Sequence, residues 1–216
     1  MSLVVGAGVD AMGTNRIASL ATALIAFIVY FRKGHVDWKS SIWFTVAIAF
    51  GAFFGALTAQ SMPKSIFPWL LLGTCPLILV LVWKRDLWSA RALHPGAASI
   101  NAVVLSGIAV GFYDGVWGPG GGTLMFLALL FFARLPLLTA LAASKLANIV
   151  SASVGVVTYG IAGHVHVHPG LILASGMTAG GFVGASLAST NASRIVRPVL
   201  LVVVALLLIR VITTFA

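Results

Sequence analysis

Long apolar runs separated by short clusters of lysine and arginine leave this chain few folds to choose from. The runs are Ile17–Phe31, Ile42–Ala59, Ile66–Trp83, Ile100–Tyr113, Leu124–Phe132, Leu137–Tyr159, Leu171–Ala188 and Val199–Phe215. Apart from Lys145 and Arg210 they carry no charge. A helix of about 20 such residues crosses the hydrocarbon core of a bilayer. Backbone in lipid must satisfy its own hydrogen bonds, which selects helices. Charged residues make up 8% of the chain and hydrophobic ones 60%, against roughly 25% charged in a soluble domain. The expectation is an all-α integral membrane protein with about seven to eight transmembrane or re-entrant helices.

The net charge of +9 does not point to nucleic acid, because no basic face with interleaved aromatics is present. Lys and Arg sit between apolar runs, the pattern of topology-setting loops. With Arg32, Lys33 and Lys39 inside, the crossings return Lys84, Arg85, Arg91, Arg134, Arg194 and Arg197 to the same side. Lys64 falls outside. Trp38, Trp83 and Trp88 stand beside basic residues as interfacial anchors. Cys75 is the single cysteine, so no internal disulfide forms. The N-terminus lacks a basic region followed by a cleavage site, so no signal peptide is expected.

The two halves are related. An offset of 129 places Gly34-His35-Val36 on Gly163-His164-Val165 without a gap. It also pairs Ala18 with Ala147, Tyr30 with Tyr159, Gly51 with Gly180, Gly55-Ala56 with Gly184-Ala185, and Ile66 with Ile195. Internal repeats recur in secondary transporters. Residues 1–83 form a first repeat, 84–99 a cytoplasmic linker and 100–216 a second repeat. The positive loops make the repeat an inverted one. The first-half partner of residues 111–123 would fall before Met1, so the first repeat is expected to be incomplete.

Within the second half, Gly111-Phe112-Tyr113-Asp114-Gly115-Val116-Trp117-Gly118-Pro119-Gly120-Gly121-Gly122-Thr123 cannot continue a regular helix. A helix break is tolerated at membrane depth only where protein or a water-filled cavity satisfies the freed backbone. A helix restarting near Gly120, Gly121, Gly122 and Thr123 would aim its free N–H groups and positive dipole end at an anion. No Gly-Lys-Ser/Thr follows, so this is not a P-loop.

Two cations inside apolar segments, Arg16 and Lys145, are equivalent by the same offset. Thr14, Asn15 and Ser19 surround one, and Ser144, Asn148 and Ser151 the other. Intramembrane charges are expensive and usually functional. Two related by pseudo-symmetry can close on an anion from both sides. The alternative is that each snorkels to an interface or pairs with a carboxylate, for which Asp10 and Asp114 are available. Asp114 itself is open to three roles: proton carrier, partner of Lys145, or cap of the broken helix. Tyr113 stands beside it. His164, His166 and His168 alternate as on a metal-binding strand, but they lie in a loop and are expected to be solvated, with no metal bound. Gly51/Gly55 and Gly180/Gly184 have the spacing of helix-packing contacts.

The run Gly111-Phe112-Tyr113-Asp114-Gly115 with Gly118-Pro119-Gly120-Gly121-Gly122 resembles the sulfite exporters of the TauE/SafE family, also called the toluene-sulfonate uptake permeases. Ser144-Lys145-Leu146-Ala147-Asn148 resembles that family's second motif, and Gly34-His35-Val36-Asp37-Trp38 its first-half loop. The resemblance implies a multi-pass protein of the bacterial inner membrane. It would move sulfite, sulfonates or related organic anions with proton coupling; no cofactor is expected, since no cofactor motif is present. Two departures stand out. The glycine-rich first segment is missing, and Thr14-Asn15-Arg16 replaces a Thr-Ser-Lys type sequence.

A proton-coupled secondary transporter of small sulfur-containing anions is therefore the first expectation. An uncoupled anion channel and a non-transporting membrane scaffold are the alternatives, and a homo-oligomer is open to all three. No nucleophile–base pair, metal cluster or cofactor motif suggests an enzyme.

Overall fold

The computed structural model describes residues 8–63, 65–66, 73 and 99–215. Lys64, Cys75, Trp83, Trp88, the linker up to residue 98 and, but for Ile66 and Gly73, the run Ile66–Trp83 lie outside the described residues. Among the described residues there are six helices and no strand. They are α1 (Val9–Arg32), α2 (Trp38–Gln60), α3 (Ile100–Val116), α4 (Gly121–Phe131), α5 (Leu137–Ile161) and α6 (Val167–Phe215). Among the described residues, four segments are long and apolar enough to cross a membrane: Val9–Arg32, Ser41–Gln60, Leu137–Ile161 and Val167–Thr190.

Helix ends fall where the chain punctuates them. Gly34 follows α1 at φ +72°, and Gly163 follows α5 at φ +80°, a left-handed conformation that glycine adopts without a Cβ clash. Both turns close the same way. The His35 N–H donates to the Tyr30 carbonyl at 3.1 Å, and the His164 N–H to the Tyr159 carbonyl at 2.9 Å. Asp37 caps α2 by accepting from the Lys39 N–H. One expected end does not occur. The backbone stays helical through Arg194 and Arg197, where a turn was expected. No glycine or proline lies between Gly184 and Pro198, and polar side chains alone do not stop a helix.

Apolar size is distributed inside out relative to a soluble protein. Large side chains such as Trp43, Phe50, Phe54, Leu105, Leu171 and Phe182 face outward, while alanines dominate the buried set. Lipid tails are as apolar as leucine, so helices here associate by close backbone approach rather than by hiding bulk from water. Helices α2 and α3 run parallel in this way. A Cβ on Gly51 would meet the Ile108 carbonyl at 2.2 Å, one on Gly55 the Phe112 carbonyl at 2.2 Å, and one on Gly115 the Ala52 carbonyl at 2.4 Å.

Among the described residues, nothing lies within 4 Å of a Cβ on Gly180 or Gly184, the pair whose spacing suggested a helix contact. Helix α6 meets α1 through Gly181 against Thr22, because each residue step rotates a helix by about 100°.

The short α4 is apolar all round and buried, with Met125 through Leu130 all in the core. Its 11 residues span about 16 Å, too short to cross a bilayer. Helix α5 runs antiparallel to α1, with Tyr159 against Gly13 and Gly155 against Arg16. Helix α6 runs parallel to α1, from Gly170 against Ile17 to Ser189, which accepts a hydrogen bond from Lys33.

Candidate functional site

The break between α3 and α4 satisfies its backbone in detail. Helix α3 stops at Val116, and the Trp117 N–H closes onto the Tyr113 carbonyl at 2.9 Å. Gly118 (φ +89°) and Gly120 (φ +79°) turn the chain back. The Gly118 carbonyl accepts from the Gly121 N–H, and the Gly120 carbonyl from Thr123 and Leu124. The Pro119 carbonyl takes the Tyr113 hydroxyl at 2.5 Å. The last-turn carbonyls of α3 find partners on other helices. Gly115 accepts from the Tyr159 hydroxyl at 2.6 Å, and Asp114 accepts from Arg16 Nη2. Irregular backbone at this depth is thus held by protein, as a lipid environment requires.

Arg16 lies across that end of α3. Its Nη1 donates to Asp114 Oδ2 at 2.6 Å, and the two side chains are 5% and 4% exposed. Nη2 also reaches the Gly115 carbonyl at 3.4 Å. The same Oδ2 accepts from the Ser151 hydroxyl at 2.5 Å. Gly155 makes room for the guanidinium stem, since a Cβ there would come within 2.9 Å of Arg16 Cδ. The other carboxylate oxygen rests on the first residue of α4, where a Cβ on Gly121 would meet Oδ1 at 1.8 Å. The anion at the positive end of α4 is therefore the protein's own carboxylate, placed where the helix dipole favours negative charge.

Asp114 is not the partner of Lys145: the structure pairs it with Arg16 and positions it against the start of α4. Lys145 is half-buried and makes no ion pair or hydrogen bond among the described residues. It lies six residues, about 9 Å of helix rise, before Ser151. One turn after Lys145, the Asn148 amide approaches Gly122, where a Cβ would meet its Nδ2 at 3.2 Å. Ser144 turns its hydroxyl back to the Leu141 carbonyl. Asn15 and Ser19 are half-buried on α1, without a hydrogen bond to the Arg16 cluster. Arg16, Asp114, Tyr113 and Gly121 thus meet at the break, with Gly120, Gly122, Thr123 and Asn148 at its α4 edge.

Tyr159 and Gly155 belong to this cluster and were not singled out by their chemistry. Their signal was positional: Ser151, Gly155 and Tyr159 recur every four residues, one stripe of α5. His164 is not simply solvated. Its Nδ1 lies 2.7 Å from Asp10 Oδ1, and the His166 N–H donates to Thr14 Oγ1 at 3.0 Å. The α5–α6 turn is thereby fastened to the first two turns of α1. No group of three metal-ligating side chains occurs among the described residues.

Fold and site together describe a helical membrane protein built around a buried ion pair at a helix break. The chain belongs to the sulfite exporter TauE/SafE family, which it matches over residues 1–211. It is 30% identical over 203 residues to the probable membrane transporter protein ORF9 of Sinorhizobium sp, covering 92% of this chain and 76% of that one. A probable membrane transporter protein of Haemophilus influenzae is 27% identical, with 89% and 75% covered. The probable membrane transporter protein YfcA of Escherichia coli K12 is 26% identical, with 92% and 74% covered. No solved structure matches the chain.

Proposed function

We propose that this protein is a secondary transporter of small sulfur-containing anions, such as sulfite, sulfonates or related organic anions. It would work in the bacterial cytoplasmic membrane, as a multi-pass protein, with proton coupling. Membership of the TauE/SafE family supports the substrate class. The observation that carries the site is the row Arg16, Asp114, Gly121, Gly122 and Asn148, which runs from one intramembrane cation towards the other, Lys145. The anion would bind at the start of α4, between the fixed guanidinium and the Lys145 ammonium, with Asn148 as an amide donor. The sealed ion pair supports a carrier over a continuous pore, since no water path is needed through it.

Two inverted repeats, residues 1–83 and 100–216 joined by a cytoplasmic linker at 84–99, are part of the same reading. The matching turns after Tyr30 and Tyr159, and the opposite directions of α1 and α5, support it.

Flux of sulfite and methanesulfonate into proteoliposomes tests the proposal. Lys145→Met and Arg16→Met should each lower flux at least about tenfold, a change of about 1.4 kcal/mol in transition-state energy. Undiminished flux in both variants would refute the site.

A further inference from the structure

Arg16 is held in two independent ways. Nη2 donates to the main-chain carbonyls of Asp114 and Gly115, and its stem packs against Gly155. Neither contact involves the Asp114 carboxyl group. The carboxylate, by contrast, is held by Arg16 Nη1 and by the Ser151 hydroxyl, and its far oxygen rests against the bare Gly121. If the carboxylate swings away, the guanidinium remains in place with Nη1 directed at the vacated position. The cation is the fixed part of this site and the carboxylate the replaceable one.

Charge then restricts how replacement can occur. The pair is neutral as it stands. A monovalent anion taking the carboxylate's place at Nη1 while Asp114 stays ionised would set two negative charges against the one guanidinium at membrane depth, which is costly. With one proton taken from solvent by the Asp114 carboxylate, the guanidinium again faces a single negative charge. Other groups facing Asp114 offer no substitute. Helix α4 presents Gly121, and α2 packs on this part of α3 through Ala52 and Gly55. From α5 come Ser151 and Tyr159, the latter committed to the Gly115 carbonyl. On α3 itself, the Tyr113 hydroxyl donates to Pro119. Lys145 on α5 and Asp10 on α1 lie further along their helices, and Asp10 is paired with His164.

Resting on the anion-transport reading above, we infer that Asp114 is the proton-coupling residue of the cycle. It occupies the Arg16 anion site when no substrate is bound and leaves that site on protonation, so that each monovalent anion travels with one proton. In the empty carrier the internal Arg16–Asp114 pair is re-formed.

The test uses the full chain in detergent, with methanesulfonate as probe because its charge does not change near neutral pH. In weakly buffered solution, wild-type protein should take up about one proton per methanesulfonate bound. Its apparent affinity should fall about tenfold per pH unit on the alkaline side. In Asp114→Asn that pH dependence should vanish. Acceleration of anion flux by a pH gradient should be lost with it. The wild-type proton measurement stands even if Asp114→Asn fails to fold. Binding without proton uptake, or a wild-type pH slope in Asp114→Asn, would overturn the coupling role and leave the anion-transport reading intact. Proton-linked binding of acetate or phosphate with no response to methanesulfonate or sulfite would do the reverse. No binding of any of these anions would overturn both.

Discussion

Asp114 Oδ1 lies where a side chain on Gly121 would begin, with a Cβ there reaching it at 1.8 Å. Gly121→Ala must therefore push the carboxylate off Arg16 or shift the start of α4. The expected loss of stability is about 1–3 kcal/mol, the range of overpacked cores, with transport lost as well. Gly122→Ala is the control, since its nearest neighbour is the movable amide of Asn148 at 3.2 Å. Thermal unfolding in detergent separates them, and equal losses in the two variants would contradict the placement of Asp114.

The Arg16–Asp114 pair is expected to show strong energetic coupling. Removing one member of a buried pair leaves an uncompensated charge and costs about 3–5 kcal/mol. Arg16→Gln and Asp114→Asn should each destabilise, and the double variant should recover part of the loss. An interaction energy of at least about 1 kcal/mol is expected from the cycle. Simple additivity would mean that the two charges do not depend on each other.

Tyr159 and Tyr30 are equivalent by the 129-residue offset but differ in bonding. Tyr159→Phe leaves the Gly115 carbonyl without its hydroxyl donor and should cost about 1–2 kcal/mol. The Tyr30 hydroxyl makes no hydrogen bond among the described residues, so Tyr30→Phe should stay within about 0.5 kcal/mol. A reversed order would show that the α3 break is not closed by Tyr159.

The α5–α6 turn offers a third comparison. Thr14 is fully buried and accepts from the His166 N–H, so Thr14→Val should cost about 1–3 kcal/mol through the N–H it strands. Asp10 and His164 are 28% and 35% exposed, and solvent screens such pairs. Asp10→Asn should cost less than about 1 kcal/mol. A larger effect from Asp10→Asn than from Thr14→Val would assign the docking of this turn to the ion pair.

Much of the architecture was legible in the chain because lipid imposes one rule everywhere: apolar length makes helices. The break was legible for a related reason, since Gly118, Pro119 and Gly120 permit no regular continuation, and the helix does resume at Gly121. Arg16 and Asp114 were each conspicuous as charges in apolar surroundings. Their pairing was not legible, because 98 residues separate them and Asp10 lies closer to Arg16 in sequence. The turn expected at Arg194 and Arg197 failed because polarity is a weaker signal than glycine or proline. Among the described residues, α6 meets α1 through Gly181 rather than Gly180 or Gly184, because a repeated spacing does not ensure a repeated neighbour.

The sequence by itself determined that this chain is a helical membrane protein, where its helix breaks, and which few charged residues stand in apolar surroundings. Only the tertiary structure decided that Asp114 joins Arg16 and not Lys145, and that Tyr159 and Ser151 complete the arrangement. Hydropathy and backbone breakers act locally, so a linear reading recovers them. The choice among carboxylates depends on which helices pack together, and here the glycine contacts between α2 and α3 and between α1 and α5 set that choice.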